Sequence, residues 1–160
     1  MSNNIALRCL LVPMSLEQQL LLPSTVVAEI FPYKKPEPVV GSHPSWLLGS
    51  IDWRGQPVLV ISMEKVLSLP SSSSKPYRTM ILYGLESNQT LPFYAFLVTD
   101  IPRTLNLAEA GLTHFVPGER NGIVFQVEID QQGTAWIPDL TYLENLLRKY
   151  QSHLSSPAVD

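Results

Sequence analysis

Apolar residues come along this chain in short runs set between turn residues, as in "RCLLV", "QLLL", "VVAEIF", "WLLGSIDW" and "VLVI". Runs of this length, rich in Val, Ile, Leu and aromatic residues and closed by Pro, Gly, Ser or Asn, predict β-strands. Fourteen prolines leave few windows long enough for a helix. The predicted strands cover Ala6 to Val12, Gln18 to Leu22, Val26 to Phe31, Trp46 to Trp53, Pro57 to Ile61, Arg78 to Gly84, Phe93 to Thr99, Gly122 to Ile129 and Thr134 to Ile137. The expected class is all-β.

One window reads differently. From Asp139, the residues Leu140, Leu143, Leu146, Leu147 and Tyr150 recur at the spacing of one helical face, and Arg148 and Lys149 fall where cations suit a helix C-terminus. A capped C-terminal helix over 139–151 is expected to pack across the β body. A short helix after Ser62 is expected by the same capping logic. "RGQPVLVISMEKVL" and "QGTAWIPDLTYLENLL" therefore echo each other: glycine turn, short strand, capping residue, then apolar residues at helical spacing. "PSSSSKP", Pro70 to Pro76, is polar and flexible between rigid ends and reads as a junction. Together these divide the chain into a β unit over 1–74, a second over 75–138, the helix, and a flexible tail over 152–160.

Composition narrows the function classes. At 160 residues, with 45% hydrophobic and 16% charged residues, the chain buries a core unaided and is not disordered. A net charge of −3 removes the long-range field of a general nucleic-acid or anionic-membrane binder. The single cysteine, Cys9, excludes an internal disulfide and points to a reducing compartment. "MSNNIALRCLLVPM" reads as neither signal peptide nor membrane span, since Arg8 and Pro13 break its apolar stretch. The expected location is the cytoplasm.

Groups for catalysis are sparse. His43, His114 and His153 have no i+3 or i+4 relation and no HExxH context, so no metal is expected. Cys9, beside Leu10 and Leu11, reads as a buried small hydrophobe rather than a thiolate. There is no GxGxxG, GxxxxGK[ST] or GxSxG. Glu29, Asp52, Asp100 and Asp139 are scattered, Asp139 as a helix cap and Asp100 as a turn residue, and convergence of these carboxylates in space is the one enzymatic route left open. No cofactor is expected. A binding module fits better, and "DWRG" is its candidate contact: Arg54, just before a glycine turn, presents a planar, permanently charged fork on rigid strands. A charge that discourages edge-to-edge sheet pairing is the plainer alternative.

"PSTVVAEI" followed by "HPSWLLGSIDWRGQPVLVISMEKVL" resembles the CheW-like domain, with its "P-x-x-x-V-x-E-I" segment and, after a loop, "P-x-h-h-x-G-h-h-x-h-R-G-x-h-h-P-h-h-D-h-x-x-h-h" (h apolar). Glu29, Pro44, Gly49, Arg54 and Gly55 match at the family's spacing. "YRTMILYGL", "YAFLVTDIPRTLNL" and "GTAWIPDLTYLENLL" resemble the strands and closing strand-helix unit of its second half. The resemblance implies two intertwined five-stranded SH3-like β-barrels. It also implies a non-catalytic adaptor coupling chemoreceptors, through their cytoplasmic tips, to the regulatory domain of a CheA-type histidine kinase. Arg54 and Glu29 correspond to receptor-recognition positions, with Val27 near the same groove and Asp52 and Trp53 beside it; Gly49 and Gly55 shape the backbone. The kinase-facing surface is implied around Tyr33 to Pro44, including Val39 and Val40. The chain departs from the pattern at Asp52 for the usual Asn, at Trp53 for an aliphatic residue, at Leu59 and Ser62, and in "AFLVTD" for "G-h-h-V-D". These departures suggest a divergent adaptor, of the kind serving type IV pilus systems and twitching motility. The competing classes are a β-barrel module for an unrelated partner and an enzyme using carboxylates from both halves.

Overall fold

In the computed structural model, which describes residues 8–15, 18–70, 75–85, 91–107 and 111–151, odd and even residues of one strand enter different cores. Along β5 (Gln56–Ile61), Val58 and Val60 join one apolar cluster while Leu59 and Ile61 join another. In β6 (Arg78–Tyr83), Ile81 faces one way and Met80 and Leu82 the other. In β7 (Phe93–Val98), Ala95 opposes Tyr94, Phe96 and Val98. Side chains of a strand alternate faces, so a strand with a core on each side is written as an unbroken apolar run. That is why these segments show no polar alternation.

These strands form the middle of a five-stranded sheet, in the order β3-β6-β7-β5-β4, with β3 (Val27–Pro32) and β4 (Leu47–Trp53) at its edges. A six-stranded sheet holds β1 (Arg8–Pro13), β2 (Gln19–Pro23), β8 (Arg103–Asn106), β9 (Leu112–Pro117), β10 (Ile123–Ile129) and β11 (Gly133–Pro138), in the order β8-β1-β2-β11-β10-β9. Each sheet carries a cluster of its own: Cys9, Leu11, Leu21, Val127, Ile129 and Ala135 in the six-stranded one, and Ile51, Trp53, Val58, Val60, Ile81 and Ala95 in the other. The third and largest cluster unites both sheets through their opposite faces, for example Leu20 and Leu22 with Leu59 and Ile61. The fold is mostly β, with two sheets and few helices.

Two capped α-helices pack against the sheets among the described residues. Ser62 caps α1 (Met63–Val66) by accepting the Lys65 N–H at 3.2 Å, and Asp139 caps α2 (Leu140–Arg148) by accepting the Tyr142 N–H at 3.0 Å. Each follows a strand that makes a parallel pair, β5 with β7 and β11 with β2, so the echo between the two sequence segments is an echo of structure. Leu143 and Leu147 of α2 are fully buried in the shared core; Leu140 and Tyr150 pack against its margin, with Tyr150 edge-on to Trp46 at 5.7 Å. Each fully buried Leu is worth about 1.5–3 kcal/mol of transfer free energy.

The strand boundaries agree with expectation to within one or two residues, save that two strands, β8 and β9, are additional. They form the two edges of a sheet that reaches six strands, against the five per barrel that the resemblance implies. β8 and β9 each pack against one neighbour only and carry polar residues, here Arg103, Thr104, Thr113 and His114, which interrupt the apolar runs by which the other strands are recognised. β3 to β7 build one whole sheet, and β1 and β2 join β8 to β11 in the other. Ala6 and Leu7, Ser71 to Ser74, His153 and the tail 152–160 lie outside the described residues.

Candidate functional site

β4 and β5 are joined by the two residues Arg54 and Gly55, with Trp53 paired to Gln56 across the hairpin. A two-residue hairpin of this hand needs positive φ at both positions, and Arg54 has φ 52° and Gly55 φ 80°. Gly55 reaches that region freely. Arg54 does not: a left-handed conformation costs a non-glycine residue about 1–2 kcal/mol. The turn thus aims the arginine outward at some cost in stability, and its side chain is 68% exposed.

Glu29 meets it from β3. Phe31 packs with the Trp53 cluster, and counting back two residues sets Glu29 on the same face. The same count would bring Val27 there too, but the register shifts between Val27 and Glu29, and Val27 instead packs, half-buried, on the shared core. Glu29 Oε1 accepts the Trp53 indole N–H at 2.9 Å and Arg54 Nη2 at 3.1 Å. The Arg54 guanidinium lies 4.8 Å above the Trp53 ring, and Trp53 stacks edge-on to Phe93 at 4.7 Å, which in turn meets Tyr83 at 5.6 Å. The result is a charged pair at the lip of an aromatic strip.

Gly49 also sits at a register shift, between Leu47 and Gly49 of β4. Its φ is 145°, and a Cβ there would lie 2.1 Å from the Glu37 carbonyl oxygen. Glu37 and Ser50 exchange both backbone hydrogen bonds at 2.8 Å. A glycine is what lets the segment after β3 cross β4 so closely. Within that segment Tyr33 is exposed, with its N–H donated to the Tyr77 carbonyl; Pro44 is half-buried and its carbonyl accepts the Leu47 N–H. Val39 is buried in the shared core, whereas Val40 is 69% exposed. Asp52 is exposed beside the turn, its carbonyl accepting Lys34 Nζ at 2.9 Å.

The remaining candidates have local explanations. Asp139 caps α2, and Asp100 Oδ1 accepts the Ile101 N–H at 2.7 Å. His43 bonds the Pro44 carbonyl, and His114 lies on exposed β9, 3.7 Å from Glu128. Cys9 is buried, and burial pushes its thiol pKa up, away from nucleophilic thiolate. Sequence reasoning missed two features. Phe115 and Phe125 pair edge-to-face on the outer surface of β9 and β10, both exposed. Glu144, on the inner face of α2, is fully buried and accepts the Leu85 N–H at 2.7 Å. A glutamate in a helix normally reads as solvent-facing, and nothing in the local pattern distinguishes this one.

The family model for the CheW-like domain matches residues 8–141. The chain belongs to the CheW-like domain family. No curated protein matches it. The fold of this CheW-like domain is similar to the crystal structure of the scaffolding protein TtCheW from Thermoanaerobacter tengcongensis, with a TM-score of 0.67 and 15% identity, over 84% of this chain and 90% of that one. Among the described residues of the CheW-like domain, no helix is long and apolar enough to cross a membrane.

Proposed function

We propose that this CheW-like domain is a non-catalytic signalling adaptor, coupling the cytoplasmic tip of a chemoreceptor to the regulatory domain of a CheA-type histidine kinase in the cytoplasm. The observation that carries the reading is Arg54: a permanently charged donor held at positive φ on a two-residue turn, anchored to Glu29 and still mostly exposed. Natural sequences place strain of this kind where function uses it. Interfaces favour such an arginine, with planar donors beside aromatic surface and an apolar floor. Family membership supports the same partners, and the similar fold belongs to a protein described as a scaffold.

Receptor contact falls to Arg54 and Glu29, with Asp52 beside the turn and Trp53 beneath the guanidinium, while Val27, the neighbouring candidate in β3, packs on the shared core. Kinase contact falls to the segment of Tyr33, Val40 and Pro44, whose backbone Val39 anchors from inside. Asp52 and Trp53, where the family's usual residues differ, support a divergent adaptor such as one of a type IV pilus system controlling twitching motility.

The test is a pull-down of the folded Arg54→Glu variant with a receptor tip fragment and, separately, with the kinase regulatory domain encoded nearby. The reading expects receptor capture to fall and kinase capture to persist. Unchanged receptor capture by folded variant removes the role assigned to Arg54. Failure of the unmodified protein to bind either partner removes the adaptor.

A further inference from the structure

We infer that Trp53 is a positioning residue for Arg54, and that its indole N–H keeps the guanidinium open toward a carboxylate on the partner. The inference rests on the receptor-contact reading of Arg54. Left to themselves, an arginine and a carboxylate tend to close on each other through two parallel N–H···O bonds, which consumes the recognition edge of both. Here the pair is single-armed: only Arg54 Nη2 reaches Glu29, and it shares Oε1 with the indole N–H, which approaches at 2.9 Å. Among the described residues Arg54 makes no other hydrogen bond. Its other N–H groups remain available, on a side chain that is mostly solvent-exposed.

The indole also fixes where those donors point. Its ring lies 4.8 Å beneath the guanidinium, is itself only 7% exposed, and is braced by Phe93. Stacking over Trp favours one plane for the cation, and the N–H holds Glu29 at one end of it. An aliphatic residue in place of Trp53 supplies neither the donor nor the flat support, so the ion pair is then free to collapse into its two-armed form. Trp53 therefore tunes recognition without meeting the partner.

Trp53→Phe removes the N–H while keeping a ring under Arg54 and against Phe93, and its thermal midpoint and near-ultraviolet dichroism report folding. Binding is measured with a chemoreceptor tip fragment for four proteins: unmodified, Trp53→Phe, Arg54→Ala and the double variant. Trp53→Phe is expected to weaken binding about five- to tenfold, the scale of one net hydrogen bond, and to have no further effect once Arg54 is Ala. Affinity for the kinase regulatory domain stays the same. A loss that persists in the Arg54→Ala background shows a structural role and overturns the inference, as does a Trp53→Phe protein that binds normally while Arg54→Ala does not. Normal binding by Arg54→Ala overturns the inference and the receptor reading together. Should Trp53→Phe fold poorly, Trp53→Leu, which likewise lacks the donor and is of the aliphatic kind usual in the family pattern at this position, is expected to give the same dependence on Arg54; additive effects there count equally against the proposal.

Discussion

The buried carboxyl group of Glu144 holds the backbone N–H of Leu85, 59 residues away in sequence, at 2.7 Å. This bond ties α2 to the chain just after β6. Glu144→Ala leaves that N–H without its acceptor and opens space beneath the helix, so unfolding free energy should fall by about 1–3 kcal/mol. Glu144→Gln retains an acceptor oxygen and should lose less. Urea unfolding with unchanged slope measures both, and equal losses would show that the oxygen contributes nothing specific.

Gly49→Ala is expected to destabilise by more than about 2 kcal/mol, because the new Cβ meets the Glu37 carbonyl and the residue keeps a φ that L side chains rarely adopt. The damage should be local first. Amide exchange at Glu37 and Ser50, which pair across that contact, should accelerate before exchange in β6 and β7 does. Unaltered exchange at those two amides would contradict the close-approach argument.

Arg54→Asn should raise stability by about 0.5–1 kcal/mol while removing receptor capture. Asn tolerates the left-handed region and is favoured before Gly in this hairpin, and the lost ion pair with Glu29 is exposed enough to be worth little. Thermal unfolding and the pull-down are the two measurements. A drop in stability would mean that the pair with Glu29 outweighs the backbone strain.

Alkaline pH should weaken the fold through two buried groups. Burial raises the pKa of Cys9, and burial together with Glu144 raises that of Tyr94. For each, the folded state keeps its proton at a pH where the unfolded chain has lost it. Their contribution is complete below the ordinary thiol and phenol values and declines as pH rises above them. Cys9→Ala should flatten the decline of stability from about pH 8.5 upward. Tyr94→Phe should flatten it above about pH 10; it should also leave neutral-pH stability equal or higher, since the Tyr94 hydroxyl is buried without a hydrogen-bond partner among the described residues. Thermal midpoints across pH 7–11 test both, and parallel curves for the unmodified protein and both variants would refute the assignment.

What the sequence made legible follows from where each residue's constraint lies. Val58 to Ile61, Met80 to Leu82 and Tyr94 to Phe96 are packed on both faces, so their apolar runs announce strands. Ser62 and Asp139 act within three residues of themselves, and both caps were evident. The motif around Arg54 brought out the exposed side of the site, and the structure adds that Arg54 shares the turn's positive φ with Gly55. Nothing local could reveal that Trp53 donates to Glu29, 24 positions earlier, or that Glu144 is buried, because those facts are set by strand pairing and helix docking. β8 and β9 were hidden for the same reason, since only their neighbours make them strands.

The interleaving of the two sheets also dictates an order of completion. β3 to β7 follow one another along residues 27–98 and find every sheet partner within that run. β1 and β2, made first, pair with each other, but their outer neighbours are β8 and β11, on the far side of the whole five-stranded sheet. Closing so long a loop is slow compared with local pairing. During synthesis Leu20 and Leu22 therefore wait with one flank unpaired until Trp136 emerges beside Leu20, which makes β11 the latch on the β1–β2 hairpin.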